Sequence, residues 1–360
     1  MKTKKEININ NKIFDIVGTF IKKNPPITIL ENIAINGNKI MATNLDTGII
    51  YETNKEIGKI ALDAKLLKGK TIDDIKIIDK NNHIAQIGNL TIKGDLLENF
   101  PIIPDVKQSP QLTVSSDDLI NGLNKSIYAI EKGDHSNHAE LRGIFIKNEN
   151  NQLLIVASDT FRLSQIHLPA NIFQDFEAII PEDAAKQLLK TLKSVKPDKV
   201  SIAIDQERNV KFVFDNFTIF TIAIEGKFPN YKQVFPKKEK YQFEVNRKEL
   251  LSALNQVPDK INEITIDLDS KNKQIILTSN SNDEIAFKCS VPVIPQTPID
   301  INPNEKDIYL IMPIRNEKSM RENVIILNKN FLKDCLKNTN SDTIQFSFTD
   351  QNTPIVLTEE

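Results

Sequence analysis

Lys186, Lys190 and Lys193 stand at i, i+4 and i+7, and Lys329, Lys333 and Lys337 follow at i, i+4 and i+8. On a helix each set shares one face. Leu188, Leu189 and Leu192, or Phe331, Leu332 and Leu336, take the other. Lys65 and Lys68 give a shorter version. One such stripe is ordinarily a solvated face. Three suit an anionic polymer, because ammonium groups attract phosphates without reading bases. Catalysis finds no comparable support: there is no G-x-G-x-x-G, P-loop or G-x-S-x-G pattern. His135 and His138 beside Asp134 lack the cysteine or second ligand pair that a zinc site needs. No catalytic residue, metal or cofactor is therefore expected. Cys289 and Cys335 read as small core residues.

The elements that must carry these lysines recur three times. Ile40-Met-Ala-Thr-Asn, Leu153-Leu-Ile-Val-Ala-Ser-Asp and Ile275-Ile-Leu-Thr-Ser-Asn are short apolar runs ending in a small residue and a polar pair. Each follows an alternating strand, at 33–36, 143–147 and 264–269, across a polar turn, which predicts three hairpins. An amphipathic helix precedes each hairpin, with Asn11, Ser116 and Asn246 as caps that accept free N–H groups. A second helix follows, at 63–68, 181–193 and 328–337. Strands at 200–204, 210–214 and 217–224 close the middle copy. Asn99-Phe-Pro-Ile-Ile-Pro and Lys227-Phe-Pro-Asn-Tyr end the first two copies alike.

This spacing is that of whole domains, not of short solenoid units. The prediction is an α+β protein of three pseudo-repeated domains, 1–112, 113–238 and 239–360, each with two helices packed on antiparallel sheets. Linkers are expected at 107–115 and 235–240. The third copy is irregular. Only 343–348 and 354–357 read as strands after its second helix, and an insertion at 292–323 holds a strand candidate at 308–315.

The 46 Lys and Arg against 48 Asp and Glu leave a net charge of −2. Any nucleic-acid contact must therefore come from uneven placement of lysine. No apolar run reaches the roughly 18 residues that span a bilayer, so no membrane partner is expected. The Lys-rich start has no signal-peptide core, and two cysteines offer no disulfide framework, which suits the cytoplasm.

Val156-Ala-Ser-Asp-Thr-Phe-Arg-Leu is similar to the VATDGHRL of bacterial DNA polymerase III β subunits, the sliding clamps. Ile180-Pro-Glu-Asp-Ala, Glu225-Gly-Lys-Phe-Pro-Asn-Tyr, Val245-Asn-Arg-Lys-Glu-Leu-Leu and Tyr309-Leu-Ile-Met-Pro-Ile-Arg resemble further motifs of that family. Asn24-Pro-Pro-Ile-Thr-Ile-Leu looks like its RPTLPIL. The resemblance covers essentially the whole chain. It implies the DNA-clamp fold and a head-to-tail homodimeric ring around duplex DNA, gripping it without regard to sequence. Polymerase and clamp loader would dock through clamp-binding peptides.

By position, the peptide pocket would use Leu141, Ser158, Thr160, Phe161, Arg162 and Leu163. Pro229, Gln233, Val234, Asn328, Phe331 and Pro354 would add to it, with Met312, Pro313 and Ile314 from the displaced strand. The DNA-facing set would be Lys22, Lys23, Asn24, Lys65, Lys68, Lys186, Lys190, Lys193, Lys329, Lys333 and Lys337. Phe100, Ile102, Lys260 and Ile261 fall at the dimer contacts. Four departures stand out. Thr160-Phe161 replaces Gly-His, and Asn24 replaces an arginine. Pro258 should end its helix early. The strand at 308–315 precedes the last helix, where the family has it at the end, and it is expected to fill the sheet position left vacant. A second reading is a clamp-like paralogue that no longer closes and serves as a protein-interaction module.

Overall fold

In the computed structural model the described residues are 9, 12–104, 106–133, 138–281, 284–298, 306–314, 323–350 and 352–359. They fall into two compact units. The first takes Met1–Ile120, Ile146–Leu153 and Pro169–Ile224; the second takes Asn121–Phe145, Leu154–Leu168 and Glu225–Glu360.

In the first unit, helix α1 (Ile13–Val17) runs on into a 3₁₀ turn, Gly18–Phe20, and buries Ile13, Phe14, Val17 and Phe20 along one stripe. Its expected cap, Asn11, lies outside the described residues. Helix α2 (Ala64–Leu67) is capped by Asp63, whose carboxylate accepts the Lys65 N–H at 2.8 Å. Helix α3 (Ser116–Ser126) begins here, and its cap is Ser115, not Ser116: the Ser115 hydroxyl accepts the Asp118 N–H at 3.1 Å. Strand Leu112–Ser115 runs straight into the helix, so its last extended residue faces the first turn. Helix α4 (Glu182–Val195) starts after Pro181 and ends on Lys196 in a left-handed conformation.

These helices accompany a continuous antiparallel sheet. Its order is Gly58–Asp63, Asn32–Gly37, Lys39–Thr43, Thr47–Glu52, Phe217–Ile222, Asn209–Phe214, Lys199–Ile204 and Leu112–Ser115. Residues 112–115, expected in a linker, are thus sheet. Gly48 sits opposite Phe220, whose ring would lie 2.0 Å from any Cβ there, so only glycine fits. Ile75–Asp79, Ile84–Ile87 and Leu90–Lys93 form a separate small sheet.

The second unit repeats the design. Residues 162–165 of strand Arg162–Ile172 pair with Ile308–Ile311, then Ile355–Glu359, Thr343–Phe348 and Tyr241–Asn246 follow. Glu284–Gln296 is a single long strand. Its end pairs with Tyr241–Asn246 and its beginning with Gln274–Ser281, which leads to Glu263–Asp269 and Val324–Asn328. The expected insertion therefore begins as strand through Gln296. Helix α5 (Arg247–Gln256) is capped by Asn246 and ends one residue short of Val257 and Pro258, as the proline requires. Helix α6 (Lys329–Asn338) is capped by Asn328, whose side chain accepts the N–H groups of Asn330 and Phe331.

The displaced strand has a definite place. In the middle copy, Phe217–Ile222 pairs with the strand before it and with Thr47–Glu52 of the first copy. In the third, Ile308–Ile311 pairs with Ile355–Glu359 and with 162–165 of the middle copy. It thus holds for its copy the position that the last strand holds for the middle one. It is shorter than expected: the strand ends at Ile311, and Arg315 lies outside the described residues.

Candidate functional site

Six residues of the expected DNA-facing set line one cleft of the first unit, of about 610 Å³: Lys22, Lys23, Asn24, Lys65, Lys68 and Lys190. They come from the turn after α1, from α2 and from α4. Asp15 and Glu31 are the acidic residues among its lining. Lys22 reaches Asp183 and Lys65 reaches Glu31, both at 3.7 Å between largely exposed groups. Exposed pairs of that length contribute little, about 0–1 kcal/mol, and leave the ammonium groups free to turn toward phosphate. Lys186 and Lys193 are exposed on α4, with Lys186 paired to Glu182 at 2.7 Å.

Lys329 does not belong to that set. It is 1% exposed, and its Nζ donates to the Val257 and Pro258 carbonyls at 3.4 and 2.9 Å. Those carbonyls lie just past the C-terminus of α5, where a cation is favoured. Burial, with Lys333 nearby, lowers its pKa from the ordinary value. The first position of α6 faces inward, so the stripe there reduces to half-buried Lys333 and exposed Lys337.

The other site is the turn after strand Gln152–Ser158. Asp159 Oδ1 accepts the N–H groups of Phe161 and Arg162 at 3.1 and 2.9 Å. The Ser158 hydroxyl donates to Arg162 O at 2.8 Å and accepts Thr160 N–H at 3.2 Å, with Thr160 left-handed at φ 73. This presents Phe161, 58% exposed, and withdraws Arg162 and Leu163, both expected to line the pocket, to 7% and 3%. Arg162 is held inside because its Nε donates to Asp159 Oδ2 at 2.8 Å and its Nη1 to Asp334 Oδ2 at 2.7 Å. Its guanidinium carbon also lies 4.6 Å from the Phe331 ring centre and 5.3 Å from that of Tyr128. Phe161 and Phe331 meet at 6.2 Å.

Burial opposes the Arg162 charge, but the bonds to Asp334 and Asp159 outweigh it and raise its pKa. Burial lifts Asp159 above the usual carboxylate range despite its partner. Burial also lifts Tyr128, and pushes Cys335 up to about 12. Cys335 is a core residue as expected, whereas Cys289 is half-buried.

Register gathers more of the expected pocket. Arg162, Ile311 and Ile355 are abreast in adjacent strands, so Phe161, Met312 and Pro354 come at one end of the ladder. Met312 N–H donates to Phe161 O at 2.8 Å, and Ile314 N–H to Ile326 O, two residues before Asn328. Pro313 and Pro354 are buried. Leu141 is buried in a 3₁₀ turn, while Pro229, Gln233 and Val234 are exposed around Tyr231–Val234. At the expected dimer contacts, Phe100 and Ile261 are covered by their own chain; Ile102, 96% exposed, and Lys260 point outward.

Sequence reasoning missed the support beneath the site: Tyr128, Asp159 and Asp334. It also missed a buried latch at the other end of the displaced strand. Lys125 Nζ pairs with Asp307 at 3.2 Å and with Glu359 at 2.9 Å, and the Tyr309 hydroxyl donates to Glu359. Burial would raise Glu359, but the bonds from Tyr309 and Lys125 hold it below its ordinary value of 4.5. A signal for Asp159 existed: it stands three before Arg162 as Asn44 stands three before Thr47. Among the described residues no group of three or more His, Cys, Asp or Glu is placed to hold a metal. His138 bonds Glu140 at 2.9 Å, and Asp134 and His135 lie outside the described residues. No described helix is long and apolar enough to cross a membrane.

Copies whose closing strands augment the preceding copy's sheet, with lysine on their helices, define the DNA-clamp class of α+β proteins. The solved sliding clamp of Pseudomonas aeruginosa superposes with a TM-score of 0.77 at 17% identity, over 98% of this chain and 94% of that one. The family model described as DNA polymerase III beta subunit, central domain, matches residues 113–230. The beta sliding clamp of Synechococcus elongatus is 22% identical over 96% of this chain and 92% of its own length. That of Mycoplasma capricolum is 23% identical over 99% and 91%. Residues 113–230 thus match the central domain of the DNA polymerase III beta subunit, and along nearly its whole length the chain is similar to bacterial beta sliding clamps.

Proposed function

We propose that this protein is a sliding clamp, a non-catalytic processivity factor of DNA replication that closes as a head-to-tail homodimer around duplex DNA in the cytoplasm. The three copies, 1–112, 113–238 and 239–360, are its domains. The observation that carries the DNA part is the lysine cleft, since clustered ammonium groups with almost no arginine suit a grip on phosphates that can slide. The Phe161 turn is the docking point for peptides of the polymerase and the clamp loader, supported by an exposed aromatic over a fixed base. Ile102, exposed beside Phe100, supports a contact between subunits. The paralogue reading is not favoured, because the relatives are sliding clamps across nearly their whole length.

Filter binding to two duplexes of unrelated sequence tests the DNA part. Equal affinities that fall steeply with salt are expected, and Lys190→Glu should lower the salt slope by about one. Sequence preference overturns the reading. Light scattering at micromolar concentration tests the ring: a dimer mass is expected, and a monomer overturns closure.

A further inference from the structure

Arg162 sits in the docking turn, yet little of it is open to a partner. Its side chain is 7% exposed. Asp159 and Asp334 take up Nε and Nη1, and the rings of Phe331 and Tyr128 lie against the guanidinium carbon. Phe331, in turn, is the ring that Phe161 leans on. We propose that Arg162 is the positioning residue of this site: it works beneath the contact surface, fixing the Phe331 ring so that Phe161 and Phe331 together present one rigid aromatic ledge. The inference rests on the docking reading and deepens it.

A guanidinium already matched by two carboxylates offers little to an acidic side chain, so the arginine acts through the ring it packs on and not through an ion pair with the partner. Arginine rather than lysine is required, because the planar fork bonds two carboxylates while its face packs on a ring. Asp334, on α6, ties the helix that carries Phe331 to the turn that carries Phe161. Rigidity matters because an anchor that must first order its own pocket loses affinity to that ordering.

The test uses the full chain and a labelled uncharged pentapeptide, Ser-Leu-Ser-Leu-Phe, with melting followed in parallel. Arg162→Lys is expected to weaken binding by about tenfold, and Phe331→Ala by at least as much. In the double variant the arginine change should add almost nothing, since its effect passes through the ring. Affinity for the parent peptide should hold between low and high salt. Losses that multiply in the double variant overturn the proposal, as does an acidic peptide whose gain disappears with Arg162→Lys. If Arg162→Lys does not fold, Asp334→Asn replaces it, with a smaller loss and the same dependence on Phe331. A wild-type protein that ignores the probe, and does so equally as Phe161→Ala, overturns the docking reading itself. Binding that Phe161→Ala abolishes, with multiplying losses at Arg162, overturns this inference alone.

Discussion

The turn at 43–47 and the turn at 158–162 share their hydrogen bonds one for one, yet only the second carries an exposed aromatic ring above a buried cation. In the first, Asn44 Oδ1 accepts Asp46 and Thr47 N–H at 3.1 and 2.9 Å, the work of Asp159 in the second. Thr43 stands for Ser158, donating to Thr47 O and accepting Leu45 N–H. Leu45, at φ 82, stands for Thr160. Even the added strand is matched: Ile222 N–H donates to Asp46 O as Met312 N–H donates to Phe161 O. A polar pair at a strand end is therefore a scaffold, and what it does depends on the last two residues. In the first turn these are Asp46 and Thr47, and the Thr47 hydroxyl meets Thr221 at 3.1 Å, a neutral buried pair. In the second they are Phe161 and Arg162, supported from α6. The third turn, at 282–283, lies outside the described residues.

The largest expected difference between the two regions is in how the added strand is held. Lys125→Ala leaves Asp307 and Glu359 partly buried without their cation and should cost about 3–5 kcal/mol in denaturant unfolding. Thr221→Val, which touches only the neutral pair of the first region, should cost about 1 kcal/mol. Similar losses would mean the latch is not what holds the displaced strand.

Docking should separate the turns next. Phe161→Ala is expected to weaken peptide binding by 2 kcal/mol or more, about 30-fold, with an unchanged melting temperature. Leu45→Ala, at the first turn, should leave that affinity alone. Equal effects of the two, read by fluorescence anisotropy, would remove the distinction.

Acid gives a graded version of the first contrast. The Glu359 carboxyl is depressed in the folded state, so its contribution is fully present above its ordinary 4.5 and is lost as pH falls through the folded value. Stability of the wild-type protein should therefore fall more steeply below that pH than stability of Glu359→Gln, measured by urea titration.

The smallest effects concern the scaffold. Asp159→Asn copies the first turn's residue and keeps the Oδ1 acceptor, so about 1 kcal/mol is expected, with a loss of peptide affinity because Arg162 then keeps only the Asp334 carboxylate. Thr160→Gly and Leu45→Gly should each shift stability by less than about 1 kcal/mol, relief of a positive φ being offset by chain entropy. A large loss at either position would show that its side chain, not its backbone angle, matters.

The repeats, hairpins and helices were legible because period and capping residues are local properties. Asn246 caps where the pattern put it, and Pro258 stops its helix. The α4 lysine face could be read from spacing alone. Lys329 could not, because a stripe says which residues share a face and nothing about whether a neighbour covers it. The burial of Arg162 is hidden in the same way: a guanidinium is hydrophilic on paper, and Asp334, far along the chain, joins Asp159 in making its burial tolerable.

By itself, then, the sequence determined the hairpins, the helix faces, the turn chemistry at 43–47 and 158–162 and the candidate at 308–315. Tertiary structure decided where that strand goes, since strand pairing is satisfied by any edge of matching register and needs no particular chain order. It also decided which cations are exposed and which are held inside. Burial is set by what packs from elsewhere, and the turn at 158–162 differs from its twin at 43–47 by the helix, ring and carboxylate that stand against it.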